Sequence, residues 1–239
     1  MTEEELQRYS RHVLLPDFGT EGQEKLKQAS VLVVGCGGLG SPVLQYLVAA
    51  GVGTIGMIDA DVVSESNLQR QILYATSDVG KLKVLVAKEK LSALNPLVVF
   101  HAYPFLLTSE NAREIIDKYD IITDCSDNFN TRFLVGDVTA ELKKPLVFGS
   151  IFQYEGQASV FNYKGGPTYR QLFPEAPENV LPASQVGVLG VLPGIIGVIQ
   201  ATEVVKIVAE IGEVLSGKLL MYNVLDMSFK TFKFSFDTK

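Results

Sequence analysis

Cysteine is scarce in this chain, and basic residues do not dominate it. The only two cysteines in 239 residues are Cys36 and Cys125. That number is too small for a disulfide scaffold and fits a reducing compartment. Acidic residues outnumber basic ones by 27 to 21, which gives a net charge of −6. Since nucleic-acid affinity comes mainly from neutralising phosphates, this charge argues against general binding of DNA or RNA.

The sequence also lacks the patterns of export and of membrane insertion. Residues 1–5 are acidic and do not show the basic-then-apolar order of a signal peptide. The long apolar stretch at 188–209 contains Pro193, Glu203 and Lys206. Charged groups in lipid are costly, so a buried core helix is the better interpretation of this stretch. We therefore expect a cytoplasmic protein with no membrane and no nucleic-acid partner.

Short apolar strands alternate with helical segments along the first 150 residues. The strands are predicted at 31–35, 54–59, 98–102, 119–123 and 145–150. This alternation is typical of an α/β fold with a parallel sheet that is covered on both faces. The pattern then changes to a strand at 157–162, a helix at 188–209 and a terminal hairpin of strands at 218–224 and 229–235. The prediction is a Rossmann-like, mostly parallel sheet with added antiparallel strands and a C-terminal hairpin.

Nothing in the composition divides the chain into parts. It contains no internal repeat, no low-complexity tract and no linker-like stretch. A chain of this length can fold around one large core, so a single domain over 1–239 is expected. That domain includes an N-terminal helical segment at 1–30. It also includes a crossover loop at 163–187, which is rich in glycine and proline and is expected to be irregular.

A glycine-rich turn follows the first predicted strand. Gly35, Gly37 and Gly40 fit the pattern G-x-G-x-x-G, and Asp59 ends the next strand. Such a turn lets backbone N–H groups at a helix N-terminus face a phosphate, while the acid hydrogen-bonds a ribose hydroxyl. The pattern alone fits NAD-dependent dehydrogenases, ATP-using enzymes or a tight turn with no ligand.

Polar side chains beyond the turn favour ATP over a dinucleotide. An ATP site needs cations for its phosphates, and Arg70 and Lys83 provide them. Asp127 follows the fourth strand and is a natural Mg²⁺ ligand, because Mg²⁺ prefers carboxylate and phosphate oxygens. Asp124 is expected to cap the helix that follows it. The candidate nucleotide-binding residues are Gly35, Gly37, Gly38, Gly40, Asp59, Asp61, Ser66, Asn67, Gln69, Arg70, Gln71, Lys83, Asp127 and Asn128.

Several motifs together are much more specific than the glycine turn. They are Arg8-Tyr9-Ser10-Arg11-His12, Gly37-Gly38-Leu39-Gly40, Ser66-Asn67-Leu68-Gln69-Arg70-Gln71, Asp124-Cys125-Ser126-Asp127-Asn128 and Glu155-Gly156-Gln157. In this combination the chain resembles the MoeB/ThiF family, the bacterial relatives of ubiquitin-activating enzymes. The resemblance covers most of the chain. It implies an adenylyltransferase that uses ATP and Mg²⁺ to activate the C-terminal glycine carboxylate of a small ubiquitin-like sulfur-carrier protein, with release of pyrophosphate.

The resemblance also assigns roles to individual residues. It implies that Asp59 holds the ribose, that Asn67, Arg70 and Lys83 contact the phosphates, and that Asp127 organises Mg²⁺. Arg11 matches an arginine that the family sends into the site of the neighbouring subunit, so the active form is expected to be a homodimer. The expected catalytic residues are therefore Arg11, Arg70, Lys83 and Asp127.

The chain departs from the family at its zinc ligands. Many members carry two C-x-x-C pairs, and the first pair would flank Tyr169 and Arg170. Thr168 and Gln171 stand there instead, and residues 226–239 contain no cysteine for the second pair. Because all four thiolates are missing, no structural zinc is predicted.

A second departure concerns the family cysteine before the long apolar helix. Ala183 takes that position here, and an alanine cannot form a thioester or persulfide link. We expect adenylation without such a step, after which a separate protein brings the sulfur or the adenylate is used directly. The sequence leaves open whether Cys125 or Ser184 has a catalytic role.

Two other functions remain open at this point. A Rossmann-like fold also suits an NAD-dependent oxidoreductase, and the departures from the family allow a non-catalytic homologue that binds a carrier. The carrier itself, of molybdopterin or thiamine type, is not specified by any residue.

Overall fold

The computed structural model describes residues 1–177 and 186–236 of the chain. Its strands form one eight-stranded sheet in the order β3-β2-β1-β4-β5-β6-β7-β8. Their bounds are β1 Ser30–Val34, β2 Thr54–Ile58, β3 Val99–Tyr103, β4 Ile121–Asp124, β5 Leu146–Phe152, β6 Glu155–Phe161, β7 Lys218–Asn223 and β8 Ser228–Lys233. The first five strands are parallel and the last three are antiparallel additions, which confirms the predicted fold class.

Helices cover both faces of this sheet. Their bounds are α1 Glu3–Arg8, α2 Ser10–Val13, α3 Gly19–Gln28, α4 Gly40–Ala50, α5 Lys83–Leu94, α6 Ala112–Asp117, α7 Phe129–Glu141, α8 Tyr169–Leu172 and α9 Leu192–Ala209. Apolar side chains of α3, α4, α5 and α9 pack on one face. Those of α6, α7 and α8 pack on the other. Two hydrophobic cores therefore enclose strands that are buried on both sides, as expected for parallel strands.

The strand order reverses between β1 and β4. The chain runs from β1 outward through β2 to β3 and then returns to β4 on the other side of β1. Val34 at the end of β1 is paired with Asp124 at the end of β4. Ligands of open α/β sheets bind outside the carboxyl ends of the strands at such a reversal, so this point is where a site is expected.

The long apolar helix α9 is a core element. By length and composition it could cross a membrane, but 56% of it is buried inside the protein. It packs against α4, β5 and β6. The predicted helix at 188–209 begins only at Leu192, because Pro193 lies in its first turn, where the missing N–H is tolerated.

The crossover loop contains a short helix that was not expected from its glycine and proline content. Thr168 and Gln171 form a capping box at the start of α8, with the Gln171 N–H donating to Thr168 Oγ1 at 3.3 Å. The Thr168 N–H donates in return to Gln171 Oε1 at 2.8 Å. The resemblance to the MoeB/ThiF family places the first pair of zinc thiolates at these two positions. A local hydrogen-bonded turn therefore organises this segment.

Candidate active site

A cavity of about 580 Å³ opens at the carboxyl ends of β1, β2 and β4, where the strand order reverses. It extends along β5 to the start of β6. The sequence-predicted residues that line it are Gly35, Gly37, Gly38, Asp59, Asp61, Arg70, Gln71, Lys83, Asp127 and Asn128. The structure thus brings most of the candidate residues to one concave surface.

The glycine-rich turn forms the floor of the cavity. Gly35 has a φ of +94°, which residues with a side chain rarely adopt. A Cβ atom at Gly40 would lie 2.0 Å from the Gly35 carbonyl oxygen, so only glycine allows the turn to close under α4. Gly40 does not itself line the cavity and serves this close approach instead. The N-terminus of α4 follows the turn directly, where unpaired N–H groups favour an anion.

Asp59 is fixed in the cavity wall by the backbone. The N–H groups of Cys36 and Asp61 each donate to one of its carboxylate oxygens at 2.8 Å. Burial raises the pKa of Asp59, while the nearby charge of Lys83 acts in the opposite direction. Each oxygen keeps a lone pair for a further donor, so this carboxylate can accept hydrogen bonds from ribose hydroxyls.

Lys83 supplies a buried positive charge beside Asp59. Its backbone N–H donates to the Asp61 carbonyl oxygen at 2.9 Å, and its ammonium group donates to Asp61 Oδ2 at 2.8 Å. The position at the first residue of α5 therefore brings its charge into the cavity. An ammonium group has three donors, so two remain for phosphate oxygens.

Arg70 and Gln71 come from the segment between β2 and α5. Arg70 Nη1 donates to the Ser66 carbonyl oxygen at 3.1 Å, which leaves the rest of its guanidinium for a ligand. The buried Gln71 Oε1 has no hydrogen-bond partner among the described residues. The cavity wall does not include Ser66, Asn67 or Gln69, and Gln69 lies instead in a neighbouring apolar groove.

Asp127 and Asn128 form the opposite rim. Asp127 is exposed, and its carboxylate accepts no hydrogen bond from the described residues. Asn128 Oδ1 accepts from the Thr131 N–H at 2.9 Å and caps α7. The expectation that Asp124 is the cap was wrong. The Asp124 carboxylate is buried and accepts from the Ser126 N–H at 2.9 Å, because it lies one turn too early for the helix.

Several cavity residues were missed by the sequence analysis. The main ones are Arg132 on α7 and the aromatic residues Phe148, Tyr169 and Phe173. Arg132 lies four positions after the cap Asn128, so the two are on the same side of the helix. That spacing was the available signal. The aromatic rings form a cluster across β5 and α8, which sequence spacing could not indicate.

Apart from Cys125, which lines the cavity, the remaining candidates lie away from it or outside the described residues. Arg11 is exposed on α2 and does not line the cavity of its own chain. Ala183 and Ser184 fall outside the residues that the structure describes. Cys36 and Cys125 are buried, although Cys125 forms part of the cavity wall, and burial raises the pKa of both thiols. A buried thiol with a raised pKa carries little reactive thiolate.

Metal-binding groups are few. Within residues 1–177 and 186–236 the structure has no cluster of three or more histidine, cysteine, aspartate or glutamate side chains. A site for Mg²⁺ does not require one, because Mg²⁺ is commonly held by one or two carboxylates together with substrate phosphates. The exposed carboxylate of Asp127, at the rim of a cavity with a glycine-rich turn as its floor, fits that need.

The fold and the cavity define a Rossmann-like α/β protein in which two cations and an exposed carboxylate surround one site, an arrangement suited to a nucleotide. Residues 9–239 match the ThiF family. The chain belongs to this family, and the resemblance seen in the sequence is confirmed.

Curated relatives agree with this assignment. The chain is 54% identical over 236 residues to the "Sulfur carrier protein adenylyltransferase" of Thermus thermophilus, covering 96% of this chain and 87% of the relative. It is 49% identical over 235 residues to the "Adenylyltransferase and sulfurtransferase MOCS3" of Xenopus laevis, covering 98% of this chain. The chain spans only 52% of that second relative's length. The predicted enzyme class, adenylyltransferase, is that of these relatives.

Solved structures support the same fold. The crystal structure of Escherichia coli MccB with ATP superposes with a TM-score of 0.84 over 96% of this chain and 71% of that one. The sequence identity is 23%, so this likeness bears on the fold alone.

Proposed function

We propose that this chain adenylates the C-terminal glycine carboxylate of a small ubiquitin-like sulfur-carrier protein. ATP is the second substrate, and the products are an acyl-adenylate and pyrophosphate. The observation that carries the proposal is the single cavity that joins a phosphate-binding glycine turn with Arg70, Lys83 and Asp127. The name of the Thermus thermophilus relative supplies the class of acceptor.

The reaction is a displacement at the α-phosphorus of ATP. A carboxylate oxygen of the carrier forms a bond to that phosphorus as the bond to the leaving pyrophosphate breaks. Negative charge builds up on the phosphate oxygens and on the leaving group. The charges of Lys83 and Arg70, fixed in the cavity wall, stabilise this build-up more than they stabilise free ATP.

Asp59 and the turn orient the nucleotide. The carboxylate of Asp59 receives the ribose hydroxyls, and the backbone around Gly37 and Gly38 approaches the phosphates closely because neither residue has a side chain. Asp127 would hold Mg²⁺, and that ion would supply positive charge to neutralise the phosphates. Among these residues, only Asp127 presents a carboxylate that no described residue engages.

The remaining length of the cavity suits a narrow peptide tail. Beyond the nucleotide end, the wall includes Ser150, Phe152 and Gln157 at the junction of β5 and β6. Glycines at the end of a carrier have no side chains and can enter such a passage. Val186 and Gly187, at the end of the crossover loop, line it as well. A tail that enters here presents its carboxylate to the α-phosphate.

The active unit is proposed to be a homodimer in which Arg11 serves the neighbouring site. Arg11 is exposed, and its side chain does not line the cavity of its own chain. Sulfur is proposed to come from a separate donor. Ala183 offers no thiol, and the two cysteines of the chain are buried.

Exchange of pyrophosphate into ATP tests the proposal directly. Purified protein with Mg²⁺ and a panel of carriers that end in Gly-Gly is expected to show exchange that depends on the carrier. A carrier that lacks the last glycine serves as the control. Absence of exchange with every carrier would count against adenylation. Tight NADH binding would then favour an oxidoreductase, and carrier binding without exchange would favour a non-catalytic homologue.

A further inference from the structure

We propose that Arg132 is a positioning residue that fixes the turn carrying Asp127 and so aims the Asp127 carboxylate into the cavity. The proposal deepens the proposed function and rests on it, because it concerns the residue assigned to hold Mg²⁺. The proposal is based on a contact made by a residue that the sequence did not predict as part of the site. Arg132 Nη2 donates to the Ser126 carbonyl oxygen at 3.1 Å.

Hydrogen bonds fix both neighbours of Asp127. The Ser126 N–H donates to Asp124 Oδ1 at 2.9 Å, so the Ser126 residue is held at its nitrogen by Asp124 and at its oxygen by Arg132. On the other side, Asn128 Oδ1 accepts from the Thr131 N–H at 2.9 Å. Asp127 lies between these two fixed points with a free, exposed carboxylate. A turn held in this way presents that carboxylate in one direction.

Arg132 is itself held rigidly. Its side chain is only 8% exposed, and its guanidinium carbon lies 5.4 Å from the centre of the Phe129 ring and 5.8 Å from that of Phe148. Positive charge over aromatic faces is favourable, and more so when it is shielded from water. The guanidinium therefore acts as a fixed support for the Ser126 carbonyl.

Charge compensation of the buried Asp124 carboxylate, whose pKa Arg132 lowers against the effect of burial, accounts for a positive charge at this position but not for a guanidinium in particular. Arg132 Nε is buried with no hydrogen-bond partner among the described residues. A buried donor without a partner is unfavourable, so the guanidinium carries a cost beyond supplying the charge. What the guanidinium adds to the charge is a planar donor for the Ser126 carbonyl. That bond is the property that the arginine supplies to the site.

Arg170 provides a matched comparison on the same side of the sheet. It also stacks on an aromatic ring, at 4.2 Å from the centre of Phe133, and it pairs with Asp137 on α7. However, Arg170 does not line the cavity and does not contact the turn at 124–128. A substitution at Arg170 therefore removes a comparable charge and stacking contact without touching the support of Asp127.

A double-mutant cycle separates positioning from a general structural role. The readout is the affinity for Mn²⁺, measured by electron paramagnetic resonance at a saturating level of the analogue α,β-methylene-ATP. The variants are Arg132→Lys, Asp127→Asn, the combination of both, and Arg170→Lys. Lysine keeps the charge near Asp124 but loses the planar fork of donors. Thermal melting checks that each variant is folded.

We expect Arg132→Lys to weaken Mn²⁺ binding on the order of tenfold, the scale of one hydrogen bond that involves a charged group. In the Asp127→Asn background the same substitution is expected to have no further effect, because residues that act through one another are not additive. Arg170→Lys is expected to leave the affinity unchanged. Equal weakening in both backgrounds, or no weakening in either, would overturn the role of Arg132.

A second variant covers the case in which Arg132→Lys does not fold. Phe129→Leu leaves the arginine in place and removes one of its aromatic supports, so a smaller loss of Mn²⁺ affinity is expected, again only when Asp127 is present. Pyrophosphate exchange by the unsubstituted protein is measured first. Absence of exchange would count against the proposed function. If the unsubstituted protein is active but the Phe129 and Arg132 variants change Mn²⁺ affinity no differently with and without Asp127, the positioning role alone is refuted.

Discussion

The ammonium group of Lys83 donates to Asp61 Oδ2 at 2.8 Å, although the Lys83 side chain is 5% exposed and that of Asp61 is 71% exposed. The charge thus lies inside the cavity wall while its counter-ion faces water. An approaching phosphate meets a cation that is already desolvated on one side and already oriented. Little rearrangement is then needed when the nucleotide binds, which is the condition under which fixed charges are most effective in catalysis.

Substitution of either cation tests this arrangement. Lys83→Ala or Arg70→Ala is expected to remove about 2–4 kcal/mol of transition-state stabilisation. The loss is measured as a lower kcat/KM for carrier-dependent pyrophosphate exchange. Lys81→Ala is the matched control, because Lys81 is two residues away and pairs with Asp78 outside the cavity. An exchange rate for Lys83→Ala that equals the rate of the control would contradict the phosphate assignment.

The buried carboxylate of Asp59 makes a prediction about pH. Burial raises its pKa in the folded protein, so folding favours the protonated form. The resulting contribution to stability is present below the pKa of the unfolded chain, near 4, and is lost as the pH rises through the folded pKa. Asp59→Asn is neutral throughout. Its stability relative to the unsubstituted protein is therefore expected to improve as the pH rises above 4, by about 1.4 kcal/mol for each unit by which the pKa of Asp59 is raised on folding. Urea unfolding at several pH values measures this, and parallel profiles would disprove it.

Complementation tests whether Arg11 acts across a dimer. Arg11→Ala and Asp127→Ala proteins are each expected to be inactive. In an equal mixture that has exchanged subunits, half of the dimers contain one of each chain, and each of these has one intact site. Exchange activity is therefore expected to recover to about a quarter of the unsubstituted level in a symmetric dimer. Verified mixed dimers without activity would exclude action between subunits.

The close approach under the glycine turn predicts a strong local effect on stability. Gly40→Ala places a Cβ atom 2.0 Å from the Gly35 carbonyl oxygen, so the turn must open. The expected loss is about 2–4 kcal/mol of unfolding free energy, together with loss of nucleotide binding. Gly194→Ala is the control, because no atom lies within 4 Å of its added Cβ and alanine favours a helix. Denaturant unfolding compares the two, and equal stabilities would refute the steric account.

The absence of the four family thiolates predicts that chelators leave the fold unchanged. Dialysis against EDTA is expected not to alter the melting temperature, and metal analysis is expected to find no stoichiometric zinc. Thr168→Ala, which removes the cap of α8, is instead expected to cost about 1 kcal/mol. A fall in melting temperature on chelation that zinc restores would contradict this prediction.

Much of the sheet was predictable because buried parallel strands are continuous apolar runs. The run from Val31 to Val34 predicts a strand on sequence alone, and it is fully enclosed in the structure. The glycine turn and Asp59 were equally clear, since the steric needs of a phosphate-binding turn restrict the residue types. The start of α9 was predicted four residues too early, because an apolar run does not mark where a helix begins.

The aromatic wall of the site could not be predicted in the same way. Phe148 lies on β5 and Tyr169 on α8, and the centres of their rings are 5.5 Å apart because α8 packs on the face of the sheet to which Phe148 points. No periodicity encodes a contact across such a distance in sequence. Arg132 was missed because a charged residue on a helix is usually at the surface. Only the packing of Phe129 and Phe148 around it reveals its burial.

Gln200 joins the middle of α9 to the turn after β4. Its Nε2 donates to the Asp124 carbonyl oxygen at 2.7 Å, and a Cβ at Gly149 would lie 2.3 Å from its amide carbon. Gln200 therefore belongs both to the packed core around Gly149 and to the support of the turn that carries Asp127. Anyone redesigning this core for heat resistance has to leave Gly149 and Gln200 untouched, since a better-filled interior at this one place would shift the neighbours of Asp127.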